Sequence, residues 1–251
     1  MDGMGIRPGM RLGGVIWLAG MVGVIVLTLT VVPQVLLKAP VRVPVWLILT
    51  ASLVQSGVLL ALAVWAGVAL SRPLGLRAPV LQAIADRSSW WSAAKPQIVP
   101  GLIGGLVAGA MLVAAVNAAP TALRDAGAML TIPLAARLLY GGITEEILMR
   151  WGLMTLLAWL GWRILARGAG MPRPVHLWSA ALVAALLFGI GHLPAISAMG
   201  IRLDPEVVTY ATVGNAVPGF VFGVLYARWG LESAFLAHAL AHGVAVGAGA
   251  V

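Results

Sequence analysis

Long apolar runs alternate along the chain with short polar segments that carry most of the arginines. A hydrocarbon core about 30 Å thick asks for roughly 20 apolar residues per helical crossing. Seven spans are predicted, over 15–37, 45–70, 98–116, 130–160, 177–193, 206–226 and 231–251. The expected fold class is all-α, a polytopic transmembrane helix bundle of about seven spans. The first run is longer than the apolar region of a signal peptide, and no small-residue cleavage pattern follows it before Pro33 and Gln34, so a retained span is expected. The chain reads as two parts. Residues 1–129 supply N-terminal membrane helices, with an interfacial amphipathic segment near 78–97 that holds Arg87, Trp90, Trp91 and Lys95. Residues 130–251 hold the polar groups discussed below.

Composition agrees with a bilayer as the solvent. Of the 251 residues, 61% are apolar and 10% charged, where a soluble domain carries about 25% charged residues. A soluble enzyme, a disordered chain and a nucleic-acid binder are excluded. The net charge of +8 belongs to the flanks of the spans. Arg7, Arg11, Arg72, Arg77, Arg87, Lys95, Arg163, Arg167, Arg173 and Arg228 fall on one side, and only Lys38, Arg42, Arg124 and Arg202 on the other. The positive-inside rule then places the N-terminus in the cytoplasm. Trp159, Trp162, Trp178 and Trp229 fall near that same face, where tryptophan anchors at the bilayer boundary. Two lysines beside abundant Arg, Ala and Gly suit a GC-rich prokaryotic genome, so the expected location is a prokaryotic plasma membrane. With no cysteine, disulfides and thiolate metal sites are excluded. The GxxxG steps Gly101/Gly105/Gly109 and Gly219/Gly223 are read as close helix packing without chemistry.

Charges inside an apolar run change the picture. The fourth span reads Tyr140-Gly141-Gly142-Ile143-Thr144-Glu145-Glu146-Ile147-Leu148-Met149-Arg150. Each such charge costs about 2.5–3.5 kcal/mol at a helix centre, so an intramembrane charge is a functional-site hypothesis by default. On an α-helical wheel Glu146 and Arg150 are i,i+4, the favourable order for an ion pair. Glu145 lies about 140° away from Arg150. The expected division is a Glu146–Arg150 brace with Glu145 free for chemistry; the bland alternative is one buried ion-pair cluster. His192 ends the fifth span, and His238 and His242 share a face of the seventh. His176 is placed in a loop. Counted from the loop that joins spans four and five, Glu145 and His192 both lie about 22 Å deep, and His238 and His242 about 12 and 18 Å.

A carboxylate facing a neutral imidazole in a low dielectric can hold and deprotonate a water. A further imidazole N–H can stabilise a tetrahedral oxyanion. Those parts make a peptidase without a Ser or Cys nucleophile. Glu145, His192, His238 and His242 are also the candidate ligands of a Zn²⁺ ion with an open position, although no HExxH is present.

Glu145-Glu146-x-x-x-Arg150, Phe188-x-x-x-His192 and His238 in a terminal helix, led in by Gly219–Gly230, resemble the three motifs of the CPBP intramembrane proteases. That family comprises CAAX prenyl endopeptidases, bacteriocin-processing proteins and Abi-type relatives. The resemblance covers about 130–251 and implies CPBP-like catalytic helices there. It implies an intramembrane endopeptidase acting on a membrane-associated peptide or protein, glutamic or metal-dependent, with the metal-free form favoured. It gives Glu145 the activation of water, His192 the placing of that water and His238 the oxyanion. Glu146 and Arg150 are supports. His242 departs from the family's Asn, and in that place it is a candidate oxyanion donor or metal ligand. Two other readings remain. One is a non-catalytic membrane immunity or scaffold protein that keeps the fold. The other is a proton-coupled transporter, disfavoured because the two halves do not resemble each other.

Overall fold

The computed structural model describes residues 8–37, 42–127 and 131–250. Arg7 and Lys38 of the charge comparison, and the expected span ends at 130 and 251, lie outside the described residues. The chain runs through α1 (Pro8–Thr30), α2 (Val32–Leu36), α3 (Val45–Leu70), α4 (Pro79–Ala85), α5 (Trp90–Asn117), α6 (Thr121–Gly127) and α7 (Leu134–Ala136). Two π-helical segments follow, π1 (Arg137–Glu145) and π2 (Ile147–Met154). Then come α8 (Thr155–Leu165), α9 (Pro174–Gly191), α10 (Leu193–Ala198), α11 (Pro205–Trp229) and α12 (Leu231–Gly247). No strand occurs among the described residues.

The architecture is an all-α membrane bundle. Five helical stretches are long and apolar enough to cross a bilayer: Gly9–Leu36, Val45–Leu70, Trp90–Asn117, Pro174–Ala198 and Pro205–Trp229. Seven were expected. The other two are helical but different in kind. The fourth carries Arg137, Glu145, Glu146, Arg150 and Arg163 on one continuous rod from α7 to α8. The seventh, α12, has only 17 residues. Both lie inside the bundle, where protein instead of lipid surrounds their polar groups.

The interfacial segment expected near 78–97 also differs. Its first part is α4, whose Leu81, Ala83 and Ala85 are buried. Trp90, Trp91 and Lys95 are the first turns of α5 itself, so the span starts eight residues earlier than expected. Lys95 Nζ sits 5.8 Å from the Trp91 ring, a cation–π pair. α4, the residue Arg77 before it and α5 are all tied to the head of α12. The Leu81 N–H donates to Glu232 Oε1 at 2.8 Å, the Leu231 N–H to the Arg77 carbonyl at 3.0 Å and the Ser233 N–H to Gln97 Oε1 at 3.0 Å.

Small residues set the inner helices close together. A Cβ at Gly101 would press on Leu236, at Gly105 on Leu240 and at Gly109 on Val244, so the glycine stripe of α5 is the bed for α12. On the other side of the fourth helix, Gly20 and Gly23 of α1 face Ile147 and Thr144, and Gly67 of α3 faces the Trp151 ring. The Thr144 hydroxyl donates to the Gly20 carbonyl at 2.7 Å. The charged helix is therefore enclosed by α1 and α3 on one flank and by α12 on the other, with α9 and α11 completing the enclosure.

Candidate active site

The fourth helix does not wind as an α-helix. From Arg137 to Met154 it is π-helical, broken only at Glu146. Its hydrogen bonds run from i+5 to i, a form found mostly in short pieces and often at functional sites. Two threonines follow that spacing: Thr144 Oγ1 lies 3.3 Å from the Leu139 carbonyl and Thr155 Oγ1 3.1 Å from the Arg150 carbonyl. Wider winding brings residues five apart toward one face, and Tyr140, Glu145 and Arg150 form such a series. The 140° wheel separation of Glu145 and Arg150 therefore does not hold. Both glutamates turn toward α12 and meet the same imidazole.

His238 is that imidazole. Its Nδ1 lies 2.8 Å from Glu146 Oε1, and its Nε2 lies 3.9 Å from Glu145 Oε2. Glu146 Oε1 also accepts from Arg150 Nη1 at 2.9 Å. Glu146 is thus more than a brace for the arginine: it connects Arg150 to His238. Arg150 spends its second amino group on the Gly219 carbonyl, at 2.6 Å, where α11 is bare of a side chain. Its guanidinium Cζ is 5.2 Å from the Phe188 ring centre and 5.5 Å from that of Phe222. Two hydrogen bonds and two aromatic faces satisfy a buried cation that would otherwise be prohibitive.

The two phenylalanines also order the histidines. Phe222 stacks on His238 at 4.5 Å and 19°. Phe188 meets His192 edge-on at 4.7 Å and His238 at 6.2 Å. His192 closes α9, with its Nδ1 2.8 Å from the Phe188 carbonyl. His242 stacks on His238 at 5.0 Å and 22°. A Cβ at Gly141 would stand 2.7 Å from His242 Nε2, so this glycine is what admits the imidazole at position 242. His242 Nδ1 is buried without a hydrogen-bond partner.

The structure brings Glu145, Glu146, Arg150, His192, His238 and His242 into one cluster between the fourth helix, α9, α11 and α12. His176 is not a loop residue. It is buried in the first turn of α9, and its Nδ1 accepts from the Arg173 N–H at 3.0 Å, closing that helix end. Sequence reasoning gave no chemistry to Phe222, Gly141 or the Gly219 carbonyl. The lead-in to the last helix contained the first and the third; only the π winding reveals the second.

Access separates the two acids. Glu146 is sealed, whereas 20% of the Glu145 side chain is exposed. Hydrogen-bond chemistry fixes the imidazoles. A carbonyl only accepts, so His192 Nδ1 is the donor and its Nε2 the lone pair. Glu146 Oε1 already accepts from arginine, so His238 Nδ1 donates to it and the Nε2 facing Glu145 is the lone pair. As for metal, among the described residues no group of three or more His, Asp or Glu is placed to hold an ion. The four zinc candidates do not converge as a ligand set in this arrangement.

Residues 127–244 match the family described as type II CAAX prenyl endopeptidase Rce1-like. The matched stretch runs from just before α7 to near the end of α12 and includes the whole cluster. Comparison with curated proteins gives no match, and neither does comparison with solved structures.

Proposed function

Residues 127–244 belong to the type II CAAX prenyl endopeptidase Rce1-like family, and from that premise we propose that this integral membrane protein is an intramembrane endopeptidase. Its substrate is a peptide bond in a membrane-associated protein or peptide. The observation that carries the reading is the pair Glu145 Oε2 and His238 Nε2, 3.9 Å apart. Both atoms accept hydrogen bonds, and the separation is too long for a direct one. A water offers two donors and satisfies both. Its oxygen lone pair is then free to attack a substrate carbonyl, with Glu145 taking the proton as general base. His192, whose ring meets Phe188 edge-on at 4.7 Å, presents Nε2 as an alternative acceptor for the hydrogen that His238 Nε2 otherwise receives. Glu146, Arg150, Phe188 and Phe222 hold His238 in the required tautomer and plane. The mechanism uses this chain's side chains and no cofactor; zinc held by Glu145 and the histidines is the alternative. The N-terminus is assigned to the cytoplasm.

One observation favours a second reading, a non-catalytic immunity or scaffold protein: an imidazole occupies position 242, where the motif has Asn. A single comparison decides. Wild type and Glu145→Gln are expressed at equal membrane levels in a deletion strain, and peptide termini are quantified by mass spectrometry. Termini present only with wild type are expected, with a loss of about 10²–10⁴-fold in the variant. Purified protein tested on the peptide so identified should keep its activity after dialysis against a chelator. Equal termini in both strains would leave the scaffold reading standing; activity that chelation removes and zinc restores would replace the metal-free mechanism.

A further inference from the structure

One polar side chain of the outer wall belongs neither to the cluster nor to the packing. Gln55 lies on α3, less than one turn from the midpoint of that helix. A hydrocarbon core about 30 Å thick therefore sets it close to the bilayer midplane. Even the nearer end of α3, at Val45, is about 15 Å away along the axis, beyond the reach of its side chain. Gln55 is exposed in the bundle. The side-chain hydrogen bonds along α3 are those of Trp17 Nε1 to the Gly57 carbonyl at 3.0 Å and of Thr50 Oγ1 to the Trp46 carbonyl at 2.8 Å. The Gln55 amide has no partner among the described residues, and in hydrocarbon no water supplies one.

Gln55 sits in a seam. Ala51, Gln55, Val58, Leu62 and Trp65 are all exposed, and they follow one another at alternating intervals of four and three residues. On an α-helix that spacing confines them to an arc of about 80°, the stripe along which two helices pair with a left-handed twist. One polar residue in such a stripe fixes the register of the pair. We propose that this seam is the interface with a second copy of the same chain, joined α3 to α3 by reciprocal hydrogen bonds between the two Gln55 amides. An amide carries both donor and acceptor, so two glutamines complement each other. Copies inserted in the same orientation present Gln55 at the same depth on parallel helices, related by a two-fold axis along the membrane normal. Beside the seam, α1 and α3 part over a cleft of about 470 Å³ lined by Trp17, Val54, Gly57 and Val58 among others, which leaves room for side chains of the partner's α3. Leu59 lies at the other edge, about 80° from the centre of the seam, and still faces lipid. α3 and α12 flank the fourth helix on opposite sides, so the pairing leaves the α12 flank uncovered and does not depend on the endopeptidase reading.

The chain has no cysteine, so a single introduced thiol reports proximity between copies. Val58→Cys lies on the seam, and Ile103→Cys near the midpoint of α5 is its control; the two positions are 54% and 59% exposed. Each full-length variant is reconstituted in phosphatidylcholine vesicles over a range of protein-to-lipid ratios and oxidised with iodine. Disulfide-linked dimers are expected at position 58 and not at 103; equal yields at the two positions would overturn the interface. Energy transfer between labelled copies then measures dissociation of wild type and of Gln55→Leu, a substitution that suits a lipid-facing helix and should leave the melting temperature unchanged. The dissociation constant is expected to rise about tenfold with Leu, and less with Gln55→Asn, which keeps an amide. A dimer as tight with Leu as with Gln, or a wild type that stays monomeric at the highest protein density, would overturn the proposal. So would a Val58→Cys adduct in native membranes whose mass shows another protein in place of the second copy.

Discussion

The second predicted span, α3, and the charged fourth helix solve opposite problems beside each other. α3 faces the bilayer with Trp46, Val54, Val58, Leu59, Leu62 and Trp65, all exposed in the bundle. It has no charge between Val45 and Leu70 and winds as a regular α-helix. The fourth helix has no exposed residue from Ala136 to Trp159, carries two acids and an arginine at its middle, and abandons α winding there. The difference shows what enclosure permits. An outer helix must satisfy its backbone by itself and cover it with apolar side chains. An inner helix can exchange regularity for placement: its own Thr144 and Thr155 bond to the Gly20 and Arg150 carbonyls, and the Gly219 carbonyl and His238 from its surroundings meet Arg150 and Glu146.

That contrast can be broken most severely at Arg150. Replacing it by Leu leaves Glu146 and the Gly219 carbonyl buried without their partner. The expected cost is about 3–5 kcal/mol, the usual outcome of removing one member of a buried pair. Thermal melting in detergent or nanodiscs would read it, and an unchanged melting temperature would show that the site is wetter than its geometry implies. The next effect comes from α3 itself. Leu60 is 0% exposed, against Gly20, and Leu60→Ala should cost about 2–4 kcal/mol. Its neighbour Leu59 is 50% exposed, and Leu59→Ala should stay within about 0.5 kcal/mol. Equal losses for the two leucines would mean that the outer face of α3 is covered by protein instead of lipid.

Much of this was legible in the sequence, because the governing rules are one-dimensional. Apolar run length gave the helices, and the i,i+4 spacing of Glu146 and Arg150 gave their ion pair, which forms at 2.9 Å. Counting residues from one loop suggested that Glu145, His192, His238 and His242 would gather, and they form one cluster. What stayed hidden depends on the third dimension. A 3.6-residue period sends Glu145 away from Arg150, and nothing in Gly141-Gly142 or Thr144 announces i+5 bonding. The start of α5 at Trp90 was hidden for another reason. Trp90, Trp91 and Lys95 have the composition of a surface segment, yet the same residues can begin a crossing helix, with tryptophan at the boundary. His176 read as a loop residue since Pro172 and Pro174 flank it closely, and Pro174 proves to be the first residue of α9, a position that suits proline.

The hydrogen bond from Thr144 to Gly20 spans 124 residues of sequence. It joins the acid-bearing helix to a stretch well outside the region that matches the family. Portability is what this contact denies. A gene fragment encoding only 127–251 would carry both acids of the site, its three imidazoles and its arginine, and still lack the wall against which the π-helical turn is held. The first half of the chain is the mould in which the second sets, so grafting the second half onto foreign helices would require recasting α1 as well.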